Sequence, residues 1–216
     1  MATLLLIDLD GTLIDTPHFE AWRRTAFEMG GSELTHEEYI DHIAGRPRME
    51  GASRLLELKR CAKGQGALHV LNTRELADYK QVEFQRLCAG TELFSDALRL
   101  LQRIDDARQT VIFYTASQNA RDLFDITLRQ SVLSFTQPRT VFQQSVNQTR
   151  GELFQQLIGT RATKDIHLID DSPYAADLAC GLGINAWQIR RNHRESKACD
   201  PRVSILTSLD EFMLPK

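Results

Sequence analysis

The stretch TLLLIDLDGTLID, residues 3–15, contains the features from which the fold can be inferred. Its first part, from Thr3 to Asp8, is an almost wholly apolar run that stops at a Gly-Thr turn. An apolar run of this length, with no alternation of polar residues, is typical of a strand that is buried on both faces of a parallel sheet. We therefore expect a parallel β-sheet with one strand ending at Asp8.

Further along the chain, short apolar runs alternate with stretches of helical periodicity. Two runs, at Thr110–Thr115 and Asp165–Asp170, end in polar residues, and each is followed by a helical pattern. These patterns lie at Asn119–Arg129 and Tyr174–Cys180, and weaker strand candidates are Arg139–Phe142 and Asn185–Ile189. Strands that alternate with helices predict a doubly wound α/β fold with a mostly parallel sheet.

The region between about His18 and Leu87 has a different pattern. Apolar residues recur there at helical spacing in several segments, and no strand candidate separates them. The sequence therefore predicts a helical insertion of about seventy residues directly after the first strand. We expect this insertion to lie over the ends of the strands.

Composition limits the classes of function. The 216 residues are 42% hydrophobic and 25% charged, with a formal net charge of −3, so we expect no general electrostatic binding of nucleic acid. The four cysteines lie far apart, which predicts reduced thiols and not a zinc cage or a disulfide framework. The N-terminal apolar run is too short for a signal peptide or a membrane span, so we expect a cytoplasmic protein with no membrane partner.

Polar side chains stand at the ends of three predicted strands. In chain order they are Asp8 and Asp10, then Thr115 and Ser117, then Asp170 and Asp171. Ligands in open α/β sheets bind at the carboxyl ends of the strands. Four carboxylates gathered there would repel one another unless a cation neutralised them, and oxygen ligands favour a hard divalent ion such as Mg²⁺. The sequence therefore predicts a magnesium site suited to phosphate chemistry.

Each of these motifs, taken singly, also has a purely structural interpretation. An Asp-x-Asp sequence before a Gly-Thr turn can serve turn formation and helix capping. The run from Asp170 to Pro173 can form an N-cap with proline at the first helical position. Thr115 can be an ordinary hydroxyl at a strand end.

Taken together, the motifs resemble those of the haloacid dehalogenase (HAD) superfamily of phosphatases and phosphomutases. The string DLDGTLID, residues 8–15, resembles the first motif; Thr115, which ends VIFYT, resembles the second; and IDDS, residues 169–172, resembles the fourth. His18, Ala21, Trp22 and the string YTASQN, residues 114–119, are similar to features of the β-phosphoglucomutase-like phosphatases. The resemblance implies a Rossmann-like core at residues 1–15 and 92–216, with an α-helical cap at residues 16–91.

The resemblance also implies a role for each carboxylate in a Mg²⁺-dependent phosphatase. Asp8 would attack phosphorus and form an aspartyl phosphate. Asp10 would donate a proton to the leaving group and later accept one from water. The Mg²⁺ ligands would be Asp8, the carbonyl of Asp10 and Asp171, with Asp170 as a direct or indirect ligand.

A second set of residues would bind the substrate. Gly11 would let the backbone turn tightly around the phosphoryl oxygens, and Thr115 would donate a hydrogen bond to the same group. Arg48 matches a residue that faces the non-reacting end of the substrate in relatives. The whole implied set is Gly11, Thr115, Ala116, Arg150, Arg48, Ser117 and Asn119, of which Ser117 and Asn119 match residues that some relatives use for a distal phosphate.

The third motif departs from the family pattern. Relatives have a lysine that bridges the nucleophile and the phosphoryl group, whereas this chain has no lysine between Lys80 and Lys164. Arg150 stands before a glycine, where relatives commonly show Lys-Gly, and would keep the positive charge with a different geometry. Lys164 is an alternative, but it precedes the strand of the fourth motif and so lies at the wrong end of that strand.

Three functions stay open from the sequence. The first is a phosphatase that hydrolyses a small phosphorylated metabolite, and the second is a phosphomutase similar to β-phosphoglucomutase. The third is a degenerate, non-catalytic protein that binds a phosphate ligand. The absence of the third-motif lysine is the reason to consider it. The retained Asp8, Asp10, Thr115 and Asp171 favour an enzyme, and we expect a monomer or small homo-oligomer.

Overall fold

The chain forms two compact units, one from Met1–Asp15 and Glu92–Lys216 and the other from Thr16–Thr91. The structure is a computed structural model. It describes residues 3–30, 33–44, 46–61, 72–117, 119–131, 133, 135–136, 140–145, 147–192 and 195–215.

The first unit alternates strands with helices. Its strands are β1 (Leu4–Asp8), β2 (Thr110–Thr115), β3 (Val141–Gln143), β4 (Ile166–Asp170), β5 (Asn185–Ile189) and β6 (Ser204–Leu206). The second unit contributes α1 (His18–Gly30), α2 (His36–His42), α3 (Arg48–Cys61) and α4 (Thr73–Leu87). The helices of the first unit are α5 (Ser95–Asp106), α6 (Ala120–Gln130), α7 (Arg150–Ile158) and α8 (Pro173–Gly181).

Among the described residues, the sheet has six strands in the order β3-β2-β1-β4-β5-β6, and every pairing is parallel. Strand β1 is central, with Leu4 opposite Thr110 of β2 on one side and opposite Ile166 of β4 on the other. The predicted α/β fold with a mostly parallel sheet is confirmed. Because the strands are parallel, the carboxyl ends of β1, β2 and β4 lie at one edge of the sheet.

The apolar run of β1 is buried because helices cover both faces of the sheet. Leu5 and Ile7 belong to one core cluster, together with residues of α5 and α6. Leu4 and Leu6 belong to a second cluster, together with residues of α7 and α8. Each fully buried leucine or isoleucine side chain contributes about 1.5–3 kcal/mol relative to exposure, so this strand is a strong determinant of the fold.

The second unit is helical throughout its described residues and has an apolar core of its own. Trp22 of α1 lies in that core and is 4% exposed. Helix α4 begins at a capping box, in which Asn72 accepts from the backbone of Glu75 and the Glu75 side chain accepts from the backbone of Asn72. This box satisfies two backbone N–H groups that the first turn would otherwise leave without partners.

The observed bounds differ from the expected ones at several elements. Helix α8 begins at Pro173, one residue before the expected start at Tyr174, because Ser172 caps it. The weak strand expected at Arg139–Phe142 is observed as β3, Val141–Gln143. Arg139 lies outside the described residues. Helix α5 and strand β6 were not among the elements expected from the sequence. Among the described residues, no helix combines the length and apolarity that a bilayer crossing requires.

Candidate active site

The sheet register places Asp8 and Asp170 next to each other. Strands β1 and β4 pair in parallel with Ile7 opposite Ile169, so the following residue of each strand is one of these two aspartates. With Asp171, they offer carboxylate oxygens that all lie within 4.8 Å of one another. The structure thus gathers three of the carboxylates expected at the strand ends into a group that could hold a cation.

Burial raises the pKa of all three carboxylates, and the charge of Asp170 further raises the pKa of the other two. Burial, followed by the charge of Asp170, raises the pKa of Asp8 well above its usual value, although Arg150 lowers it. Burial and Asp170 also raise the pKa of Asp171. Such shifts mean that the site disfavours three negative charges without a compensating cation. The donor set, carboxylate oxygens at short spacing, fits a hard divalent ion such as Mg²⁺.

Among the described residues, Arg150 is the cationic side chain that forms ion pairs with this group. It occupies the first position of α7, which starts at a capping box formed by Thr149 and Glu152. Its Nη1 lies 3.5 Å from Oδ2 of Asp170 and 3.8 Å from Oδ1 of Asp8. Burial alone would lower the pKa of the guanidinium, but the two aspartates outweigh this effect and raise it.

Lys164, the alternative to Arg150, is exposed in the turn directly before β4. It therefore lies at the amino end of that strand, opposite the end that carries Asp170. Of these two residues, Arg150 is the one that lies beside Asp8 and Asp170.

Tyr114 is a member of the site that was not expected from the sequence. It is fully buried, and its hydroxyl donates a 2.5 Å hydrogen bond to Oδ2 of Asp170. The backbone N–H of Ser172 donates to the other oxygen of Asp170 at 2.8 Å, and the Arg150 guanidinium lies over the Tyr114 ring at 5.7 Å. Asp170 is thus held on both oxygens. A signal for Tyr114 existed, because a tyrosine in a buried strand needs a partner for its hydroxyl.

The turn after β1 packs directly against Asp171. Gly11 has a φ of +75°, and a Cβ at this position would collide with the Asp171 carboxylate. The neighbouring Thr12 is fully buried, and its Oγ1 accepts a 3.0 Å hydrogen bond from the backbone N–H of Asp171. Glycine is required here both for the backbone conformation and for the close approach.

The second-motif residues lie at the end of β2, beside β1. Thr115 is 1% exposed; its Oγ1 donates to Oδ2 of Asp10 at 3.3 Å and accepts from the backbone N–H of Ser117 at 2.9 Å. Ser117 in turn accepts from the backbone N–H of Asn119, the N-cap residue of α6, at 3.3 Å, and Ala116 is exposed. The Asp10 carboxylate thus accepts a hydrogen bond from Thr115. It is not one of the three grouped carboxylates, Asp8, Asp170 and Asp171.

Arg48 belongs to the second unit, whereas the grouped carboxylates belong to the first. It starts α3 in the second unit, where its Nη1 donates a 2.7 Å hydrogen bond to Gln81. The same unit buries Lys80, whose Nζ lies 2.9 Å from Nδ1 of His18 and 4.3 Å from the centre of the Phe84 ring.

Comparisons with known proteins relate this fold to solved structures. No family model matches the sequence, and no curated protein does. The β-phosphoglucomutase of the archaeon Pyrococcus sp. strain ST 04 is 21% identical, with a TM-score of 0.72 over 98% of this chain and 95% of that one. CbbY from Rhodobacter sphaeroides, solved with phosphate, is 18% identical, with a TM-score of 0.71 over 98% and 96% of the two chains. A HAD-family hydrolase of Deinococcus radiodurans, solved with phosphate and sodium, is 15% identical, with a TM-score of 0.67 over 97% and 93%.

These likenesses establish the fold. The expectation of a HAD-type fold of the β-phosphoglucomutase kind, which the motifs raised, is confirmed over nearly the whole chain.

Proposed function

We propose that the chain is a Mg²⁺-dependent phosphatase of the HAD superfamily, which hydrolyses a small phosphorylated metabolite through an aspartyl phosphate on Asp8. The observation that carries this proposal is the group of three carboxylates, Asp8, Asp170 and Asp171, whose oxygens lie within 4.8 Å of one another. We further propose that residues 16–91 form the cap domain of such an enzyme.

Asp8 is the nucleophile in this proposal. Its carboxylate oxygen forms the new bond to phosphorus while the bond to the leaving oxygen breaks, and Asp10 donates a proton to that oxygen. Water then attacks phosphorus while Asp10 accepts its proton, the bond between phosphorus and the Asp8 oxygen breaks, and inorganic phosphate and the free Asp8 carboxylate result. The hydrogen bond between Thr115 and Asp10 supports this role because it holds the acid-base carboxylate in one orientation.

The other residues would bind and neutralise the phosphoryl group. Asp8, Asp171 and the Asp10 carbonyl would hold Mg²⁺, and the bound ion would offset the repulsion between the nucleophile and the phosphoryl oxygens. Arg150 would add a fixed positive charge beside the nucleophile. Because Asp170 is held by Tyr114 and Ser172, we propose that it orients Arg150 and supports the metal site indirectly.

The substrate class follows from the same chemistry. The turn at Gly11 and the hydroxyl of Thr115 would bind the transferring phosphoryl group, with Ala116. Arg48, Ser117 and Asn119 are proposed to contact the remainder of the substrate. Crystals of the related CbbY contain phosphate in one case and xylulose-(1,5)bisphosphate in another, and a phosphorylated sugar is accordingly a suitable first class to assay.

A phosphomutase is the second candidate, because one similar structure is a β-phosphoglucomutase. A mutase returns the phosphoryl group to a different hydroxyl and would need a bisphosphate to become active, whereas a phosphatase releases phosphate without one. The non-catalytic alternative, raised by the missing lysine, is disfavoured by the position of Arg150 beside Asp8.

A phosphate-release screen tests the proposal. A panel of phosphorylated metabolites is incubated with the wild type, with Asp8→Asn and with Asp210→Asn, each with Mg²⁺ or with a chelator. Asp210 is a matched control because its exposed carboxylate forms an ion pair with the exposed Arg99 and is not one of the three grouped carboxylates. We expect Mg²⁺-dependent release by the wild type and Asp210→Asn, and none by Asp8→Asn. Equal ligand binding by the wild type and Asp8→Asn, with no turnover of any substrate, would support the binding protein instead.

A further inference from the structure

Arg191 follows β5 and lies in the first unit, yet its side chain contacts the turn that follows β1. Its Nε donates to the carbonyl of Gly11 at 3.4 Å, and its Nη2 donates to the carbonyl of Thr12. Its guanidinium also lies 3.9 Å from the centre of the Phe94 ring. One side chain therefore binds two successive carbonyls of the turn that follows Asp10.

The orientation of Arg191 is itself fixed by a buried carboxylate. Its Nη1 lies 2.6 Å from Oδ2 of Asp96, which is 8% exposed. The same oxygen accepts from the backbone N–H of Leu209 at 2.8 Å and from the hydroxyl of Ser208 at 3.2 Å. Burial would raise the pKa of Asp96, but these donors outweigh it and lower the pKa, so the ion pair persists at neutral pH.

The turn is held from the other side by Asp171. The backbone N–H of Asp171 donates to Oγ1 of Thr12, and Gly11 leaves no room for a side chain against the Asp171 carboxylate. A trans peptide is planar, so a carbonyl that is fixed on one side also fixes the N–H on the opposite side. Arg191, through the Gly11 carbonyl, and Asp171, through the Thr12 hydroxyl, thus both restrain the Gly11–Thr12 peptide.

We infer that Arg191 is a positioning residue that keeps the turn after Asp10 in the orientation needed to bind a phosphoryl group. This inference rests on the proposed function for its catalytic consequence, but the holding of the turn can be measured without it. Arg191 does not touch the grouped carboxylates in any contact of the described residues, so its effect on catalysis acts through the turn. A misplacement of about 1 Å in such a turn can lower turnover about a hundredfold.

The chain offers a matched control in Arg103. Its guanidinium also bridges two backbone carbonyls of the first unit, those of Leu209 and Phe212, each at 2.8 Å. Arg103→Gln therefore removes the same kind of two-carbonyl contact, whereas Arg191→Gln also removes the ion pair with Asp96 and is expected to lower the melting temperature further. Only the second removes contacts from the turn after β1.

The test compares Arg191→Gln, Arg191→Lys and Arg103→Gln by hydrogen exchange of the peptide that covers residues 9–14. The same variants are assayed for turnover of p-nitrophenyl phosphate and, by calorimetry, for binding of inorganic phosphate. We expect Arg191→Gln to exchange these amides at least about tenfold faster, because local opening becomes easier. Turnover and phosphate affinity of Arg191→Gln should both be lower than those of the wild type. Arg103→Gln should match the wild type in exchange, turnover and phosphate affinity.

Arg191→Lys keeps a charge beside Asp96, but an ammonium lacks the planar fork that spans two carbonyls, so we expect intermediate values. This variant also serves if Arg191→Gln does not fold. Unchanged exchange in residues 9–14 of the Arg191 variants, or equal acceleration in Arg103→Gln, would overturn the inference. A wild type without turnover would contradict the proposed function, while the exchange data would still decide whether Arg191 holds the turn.

Discussion

Nη1 of Arg150 lies 3.8 Å from Oδ1 of Asp8, the carboxylate that we propose as the nucleophile. The same nitrogen lies 3.5 Å from Oδ2 of Asp170, so one guanidinium arm serves two carboxylates. In relatives this position is a lysine, whose ammonium is a point charge on a flexible stem. The planar guanidinium of Arg150 needs a partner that fixes its orientation. Asp170 is that partner, and the hydroxyl of Tyr114 in turn holds Asp170 in place.

Two replacements of Arg150 should distinguish the effect of its positive charge on turnover from the effect of its planar geometry. We expect Arg150→Met to lower the turnover number about 10²–10³-fold, because it removes one preorganised donor from the phosphoryl site. Arg150→Lys should fall between the wild type and Arg150→Met. Steady-state kinetics with p-nitrophenyl phosphate measures both. Arg161→Met, a change at an exposed arginine beyond α7, is the control and should retain full activity; a fully active Arg150→Met would exclude Arg150 from catalysis.

Tyr114→Phe removes the hydroxyl that donates to Asp170 and leaves the ring in place. Hydrogen bonds to charged groups contribute about 1.5–3 kcal/mol, and we expect the free energy of unfolding to fall by about that amount. Urea denaturation measures the change. Tyr174→Phe, at a tyrosine that is 65% exposed, should leave stability unchanged. Equal stability of Tyr114→Phe and the wild type would mean that this hydrogen bond contributes nothing net.

The fold could be predicted from the sequence where a single local pattern determined it. The bounds of β2, Thr110–Thr115, and β5, Asn185–Ile189, agree with the expected runs because polar residues delimit both. Helix α5 was not expected, although Ala97, Leu100, Leu101 and Ile104 are buried at helical spacing and could have identified it. Strand β6 has three residues, which is too short for a periodicity to be recognised.

The candidate site was predictable only in part. The gathering of Asp8, Asp170 and Asp171 follows from the rule that parallel strands end at one edge of a sheet. The bonds from Tyr114 to Asp170 and from Arg191 to the Gly11 carbonyl join residues 56 and 180 positions apart. Neither pair belongs to a local pattern, because the three-dimensional packing of different strands and loops determines which side chains meet.

Magnesium should stabilise the protein, and Asp171→Asn should abolish that effect. A ligand at about a hundred times its dissociation constant adds about 2.7 kcal/mol to the stability of a folded state that binds it. We expect a higher melting temperature with Mg²⁺ for the wild type, measured against NaCl at matched ionic strength.

In the presence of a chelator, the difference in stability between the wild type and Asp171→Asn should disappear or change sign. Burial and Asp170 raise the pKa of Asp171, which shows that its charge is unfavourable without a cation. Asp171→Asn removes that charge and should be at least as stable as the wild type when no metal is present. Equal stabilisation of both proteins by Mg²⁺ would place the metal elsewhere.

His167 should make stability depend on pH. Its ring stacks on Trp187 at 5.1 Å, its Nδ1 is buried without a hydrogen-bond partner among the described residues, and burial lowers its pKa below the usual 6.5. Below about pH 6.5 the unfolded chain takes up a proton that the folded protein resists, so stability falls as the pH falls. Relative to His167→Gln, the wild type should lose stability between about pH 7.5 and about pH 5.5 in urea denaturation. A constant difference between the two proteins over this range would contradict the prediction.

The central claim is that Asp8 becomes phosphorylated, and the most direct measurement is chemical trapping of that intermediate. The protein is mixed with Mg²⁺ and a substrate from which it releases phosphate. The reaction is quenched with borohydride, which reduces an acyl phosphate to an alcohol, and the peptides are then analysed by mass spectrometry. We predict homoserine in place of Asp8, in reactions that contain both Mg²⁺ and substrate and not in those that lack either. An unmodified Asp8 peptide during steady turnover, or homoserine at another aspartate, would contradict the account.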